Sequence, residues 1–101
     1  MTQQTSTLYA KLLGETARIH WEELQPFFAR GALLWVAAEL DLVAVAEAMA
    51  SNDTGRVRAW LEGGEVAKVG EAKAADLMER KPELWAVVVS PWVLFQERAS
   101  N

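Results

Sequence analysis

From residue 84 to residue 96 the chain runs for thirteen residues without a charge, through Trp85, Val87, Val88, Val89, Trp92 and Phe95, and it is broken by Pro91. Aromatic and β-branched residues at this density suit a strand on a packed, pleated surface. Proline cannot donate to a sheet ladder, so two strand segments meeting at a bend or bulge at Ser90 and Pro91 are expected, or a strand whose second half lies at an edge. By alternation Trp85 and Trp92 then point to opposite faces unless the bend resets the phase. The run falls short of the about 20 apolar residues that span a bilayer as a helix. The helices of the rest of the chain should cover the sheet to which this segment belongs.

Helical periodicity supplies most of that cover. Leu8, Tyr9, Leu12, Leu13, Ala17 and Ile19 recur at three- and four-residue spacings, which predicts an amphipathic helix capped by Ser6 or Thr7. Trp21, Leu24 and Phe28 mark a shorter second helix, in which Pro26 is tolerable only in a first turn or at a kink, and Gly31 offers a left-handed stop. Residues 32–37 are apolar on both alternating faces and read as a central strand. Asp41 then caps a helix running to about Ala50, with Leu40 and Val45 placed to staple its start.

Asp53 caps a helix on Val57, Trp60 and Leu61 that ends at Gly63 and Gly64. Residues 65–69 alternate as a short edge strand guarded by Lys68. Residues 71–81 form a helix on Ala74, Leu77 and Met78, stopped by Pro82. The expected architecture is α+β, about five helices packed on a small three-stranded sheet in the order ααβααβαβ. The connection from the second strand to the third is long enough for a parallel, right-handed crossover. One domain spans 1–101, with 1–6 and 98–101 as disordered ends.

Composition excludes more than it assigns. Ten Lys and Arg against fourteen Asp and Glu give a net charge of −4, and the closest basic pairs sit among acids, so nucleic acid is not an expected partner. The absence of cysteine removes disulfides, thiolate nucleophiles and thiolate metal sites. No phosphate-cradling glycine loop occurs, and no cofactor is expected. Residues 1–7 carry neither a basic nor an apolar stretch, which leads us to expect a cytoplasmic protein without a membrane partner.

Three stretches together resemble a known family: Phe27-Phe28-Ala29-Arg30-Gly31, then Glu39-Leu40-Asp41-Leu42-Val43, then Leu84-Trp85-Ala86-Val87-Val88-Val89 followed by Pro91-Trp92-Val93-Leu94. They look like a family of small bacterial proteins catalogued as a domain of unknown function. The resemblance extends from about Leu8 to Glu97, and the Pro-Trp-Val-Leu ending is its most specific part. It implies a bacterial, stand-alone cytosolic protein and supplies no activity, ligand or catalytic residue. The family has a proline before the tryptophan of the second helix where this chain has His20, which argues against a required histidine there.

The candidate site residues are therefore read from chemistry alone. His20, the only histidine, is expected at a boundary between helices. Glu39 and Asp41 flank Leu40 after the first predicted strand and form a conceivable acidic pair, although capping already explains Asp41. Five tryptophans are many for a domain of this size to bury, since each indole N–H seeks a partner. Trp92, Trp85, Phe95 and Trp21 are the candidate interface or pocket residues, and Glu39 and His20 the candidate polar ones. The leading expectation is a non-catalytic interaction or regulatory module that self-associates as a dimer through an aromatic surface. A small-ligand binder with a tryptophan-lined pocket is second, and a pocket of a few hundred Å³ between helix and sheet would favour it. An enzyme of unrecognised type, using His20 with Glu22 or Glu39, is third.

Overall fold

The computed structural model describes residues 7–98. Its elements in chain order are α1 (Thr7–Glu15), β1 (Ala17–Ile19), α2 (Trp21–Ala29), β2 (Leu33–Val36), α3 (Leu42–Ala50), α4 (Thr54–Gly63), β3 (Val66–Lys68), α5 (Glu71–Arg80), β4 (Leu84–Val89) and β5 (Trp92–Glu97). The fold is α+β with five helices, as the sequence suggests, but the sheet has five strands in the order β1-β4-β5-β2-β3. Among the described residues the only parallel pair is β2 with β5; the other neighbours are antiparallel. None of the described helices is long and apolar enough to cross a membrane.

Helices cover both faces, as the two-sided apolar strands demand. On one face Leu12 of α1 and Leu42, Val43, Val45 and Ala46 of α3 pack on Leu34, Val36, Val87 and Leu94. On the other, Trp21 and Leu24 of α2 and Ala74 and Leu77 of α5 pack on Leu33, Leu84, Ala86, Val93 and Phe95. Adjacent strand residues, such as Leu33 and Leu34 or Leu94 and Phe95, therefore feed different layers.

The local signals at element ends hold. Asp41 Oδ1 accepts the amides of Val43 and Ala44 at 3.0 and 3.4 Å, and Asp53 Oδ1 accepts that of Arg56 at 3.3 Å. Gly31 and Gly64 take positive φ where their helices stop. Pro26 lies inside α2 beyond its first turn. At the other end of the sheet the buried Gln96 side chain donates to the carbonyls of Ala37 and Leu40 at 3.0 and 2.9 Å, which fixes the β2–α3 loop against β5.

Two expectations need correction, and a third is made specific. First, 17–19 do not continue the first helix. The Thr16 hydroxyl donates back to the Leu12 carbonyl at 2.8 Å, and the chain then turns extended to pair with β4. This pairing covers a ladder that β4 would otherwise leave open, which local periodicity cannot register. Second, β3 does not pair with the next strand. It lies at the edge beside β2, and α5 carries the chain past β2 and β5 to β4 on the far side. Third, the two strand segments expected to meet at Ser90 and Pro91 are present, and they form a hairpin with Val89 opposite Trp92. The reversal resets the alternation, so Trp85 and Trp92 face the same layer. The expected disordered ends 1–6 and 99–101 lie outside the described residues; Arg98 is described, and its amide donates to the Glu83 carbonyl at 3.0 Å.

Candidate functional site

Four of the five tryptophans are half-buried at the rim of the core, and each carries a cation over its ring. Lys73 lies 4.8 Å from the ring centre of Trp35, Arg56 5.0 Å from Trp60, Arg98 4.7 Å from Trp85, and Lys68 5.5 Å from Trp92. Such contacts are worth about 0.5–1 kcal/mol at exposed sites and hold the indoles at fixed orientations. Trp85 is held further by its Nε1, which donates to Glu83 at 3.0 Å.

The aromatic residues singled out from sequence are therefore dispersed. Phe95 is fully buried against α2 and α5. Trp21 is only 5% exposed and tilts against Phe28 at a ring-centre distance of 5.8 Å. Trp85 and Trp92 share a face but stand at opposite ends of the hairpin, about 13 Å apart along it at about 3.3 Å per residue.

Trp92 walls a groove of mixed chemistry. The connection between α3 and α4 is tight: Asn52 takes positive φ, and the amides of Asn52 and Asp53 return to the carbonyls of Met49 and Ala48. This turn sets the end of α3 and the start of α4 against the hairpin tip and leaves a groove of about 440 Å³. Met49, Val57, Leu61, Val89, Pro91 and Trp92 give its apolar lining, while Asn52, Asp53, Arg58 and Ser90 give polar groups. Arg58 has no ion-pair partner among the described residues, whereas Asp53 is engaged in capping α4.

A second hollow lies at the opposite end of the sheet. The pairing of Ile19 with Leu84 sets the β1–α2 junction beside the α5–β4 junction. Between them is a cleft of about 570 Å³ lined by Arg18, His20, Lys81, Pro82 and Glu83 together with apolar Ile19 and Leu84. A smaller hollow of about 160 Å³ shares His20, Lys81 and Pro82 and reaches Trp21, Glu22 and Met78. Trp21 Nε1 is buried with no hydrogen-bond partner among the described residues, a condition that costs about 1–3 kcal/mol.

The polar candidates do not form a common site. His20 is exposed at the N-cap of α2 and makes no capping bond. Glu39 is exposed in the β2–α3 loop. The two occupy the same end of the sheet, but three strand spacings separate β1 from β2, about 14 Å in total. Asp41 is committed on both oxygens, one capping α3 and the other accepting the Tyr9 hydroxyl at 2.6 Å. That hydrogen bond pushes the Tyr9 hydroxyl above its ordinary pKa, because ionisation would place an anion against the carboxylate. Among the described residues no group of three or more His, Cys, Asp or Glu side chains is arranged to hold a metal ion.

Residues 7–97 match the family model described as "Protein of unknown function (DUF2288)". The chain belongs to the DUF2288 family. The matched span contains every residue of the groove and of the cleft. A solved structure, the NMR solution structure of PA1075 from Pseudomonas aeruginosa, is similar to this DUF2288 chain at 70% identity. The likeness covers 99% of this chain and 93% of that one, with a TM-score of 0.82. No curated protein matches the chain.

Sequence reasoning found Trp92 but not the groove around it. Asn52 and Asp53 read correctly as turn and cap, and nothing in local spacing places a turn between two helices against a hairpin about 40 residues later.

Proposed function

We propose that this DUF2288 protein is a non-catalytic binding protein whose groove at Trp92 receives a small ligand with a flat apolar body and a polar group. The observation that carries the reading is the groove itself: about 440 Å³, between two helices and the hairpin tip, with one wall formed by a half-buried indole. Small-molecule sites have volumes of about 300–1,000 Å³ and combine apolar walls with a few polar groups that fix orientation. Lys68 over Trp92 holds one side of the ring system, and Arg58 supplies a cation for a ligand's acceptor. Asp53 is engaged in ending a helix, which suits orienting a ligand better than moving a proton.

The probe for this reading is 1-anilinonaphthalene-8-sulfonate, which joins a flat apolar body to an anion. Fluorescence titration should give one saturable site, weakened several-fold in Trp92→Ala, retained in Trp92→Phe and abolished in Leu61→Glu. Unchanged binding in a folded Leu61→Glu protein would overturn the assignment.

Self-association is the competing reading, and one observation favours it: Val88 is 56% exposed next to the hairpin tip, on the face opposite the groove. A stable dimer would bury about 1,200–2,000 Å². Sedimentation at micromolar concentration separates the two readings, since a dimer that Val88→Glu dissociates would favour the interface over the ligand. The proposal includes a cytoplasmic setting, which fractionation of the native host tests.

A further inference from the structure

The cleft at the other end of the sheet has a different chemistry from the groove. In a chain of net charge −4, it gathers Arg18, His20 and Lys81 around one space of about 570 Å³. Each is placed by backbone structure. Arg18 lies in β1 opposite Trp85, His20 is the single residue between β1 and α2, and Lys81 closes α5 in a left-handed conformation at φ 51°. Of the two carboxylates nearby, Glu83 is already engaged by Arg18 at 3.7 Å and by Trp85 Nε1 at 3.0 Å. The other, Glu22, lies on the smaller hollow and not on the main cleft. Lys81 and His20 have no ion-pair partner among the described residues.

Two further donors adjoin these side chains. At the start of α2 the Glu23 amide donates to the His20 carbonyl at 2.9 Å, while the amides of Trp21 and Glu22 have no partner within the helix and are not capped by the His20 side chain. Trp21, which lines a smaller hollow that shares His20, Lys81 and Pro82 with the cleft, has a buried indole N–H without an acceptor among the described residues. The ammonium of Lys81, the imidazole of His20 and the free N–H groups beside them suit a ligand that brings several acceptor oxygens and negative charge.

We propose that this cleft binds the phosphoryl group of a small phosphomonoester. Lys81 and His20 contact the phosphoryl oxygens, Arg18 stands at the far wall, and the start of α2 supplies the backbone donors. A phosphomonoester has three terminal oxygens and a charge near −2 at neutral pH, which matches three dispersed donors better than the two oxygens of a carboxylate. The rest of the 570 Å³ accommodates the organic part, against Ile19, Pro82 and Leu84.

The test is a titration of the ¹⁵N-labelled full chain, followed by amide and indole resonances. Inorganic phosphate is the probe, with acetate and chloride titrated separately at matched ionic strength. Saturable shifts are expected for the amides of Trp21 and Glu22 and for the Trp21 indole N–H, identified by its loss in Trp21→Phe. Acetate should bind more weakly, and chloride should give no saturation. Lys81→Gly is the informative variant, because it removes the ammonium and at the same time relaxes a positive-φ backbone, so the fold is not put at risk. Its phosphate affinity should fall about tenfold, as loss of one charge-assisted contact implies. Arg18→Ala, at an exposed side chain, provides a second check. Shifts that never saturate, that chloride reproduces, or that survive unchanged in Lys81→Gly would overturn the proposal.

Discussion

Replacing Gln96 by methionine nearly preserves the side-chain volume and removes the Nε2 donor that reaches from β5 into the β2–α3 loop. Two Nε2 bonds are lost, at 3.0 Å to the Ala37 carbonyl and 2.9 Å to the Leu40 carbonyl, together with a long bond of 3.4 Å that Oε1 accepts from Arg98 Nε. The two Nε2 losses are unequal. Ala37 keeps a second donor, the Leu40 amide at 3.0 Å, so its bond is worth the usual net of about 0.5–1.5 kcal/mol. The Leu40 carbonyl loses its donor beneath a half-buried loop, and an acceptor left without a partner there costs about 1–3 kcal/mol. The expected destabilisation is about 2–3 kcal/mol, which in a domain of this size lowers Tm by roughly 10–20 °C. Thermal and urea unfolding of wild type and Gln96→Met measure it, and amide exchange should quicken at Val43 and Ala44, whose cap hangs from the same loop. A loss below about 1 kcal/mol, with exchange at Val43 unchanged, would refute the claim that Gln96 holds this loop in place.

Other substitutions probe the remaining contacts. Asp41→Ala should cost about 1 kcal/mol in chemical denaturation through loss of the α3 cap. Tyr9 has a folded pKa above its unfolded value, so its contribution is present below about pH 10 and is lost as pH rises through the folded value; Tyr9→Phe should remove that alkaline loss from unfolding curves taken across this range. Asp76 is held below the usual carboxylate range by its hydrogen bonds from Arg80, so its contribution is present above about pH 4 and fades as pH falls through the depressed value. Arg80→Gln should flatten that acid limb in unfolding experiments. Phe95→Ala should cost about 3–5 kcal/mol, a value that an exposed, interface-type phenylalanine would not give.

What was legible in the sequence was local. Asp41, Asp53, Gly31 and Gly64 act within one turn of their own positions, and each sits where its short-range chemistry places it. Residues 17–19 form a strand yet carry a helical pattern, because Ala17 and Ile19 fit the helical spacing of Leu8 and Leu12 and three residues are too few for an alternating pattern to compete. The hairpin illustrates the same limit. Pro91 announced an interruption, but only the pairing of Val89 with Trp92 decides that the chain reverses and that both tryptophans face one layer. The cations over Trp35, Trp85 and Trp92 come from Lys73, Arg98 and Lys68, 13 to 38 positions away in sequence, so no window of local composition contains both members of a pair.

The order of the strands bears on how the chain folds as it is made. β1 has its only partner in β4, and β3 has its only partner in β2, so these pairs meet only through β5, which leaves the ribosome after every other strand. Until residues 92–97 emerge, each pair exposes an apolar ladder, at a synthesis rate of about 5–20 residues per second. A nascent chain halted before Trp92 should therefore be sensitive to protease, and release of one six-residue strand should close the two halves into a single cooperative unit.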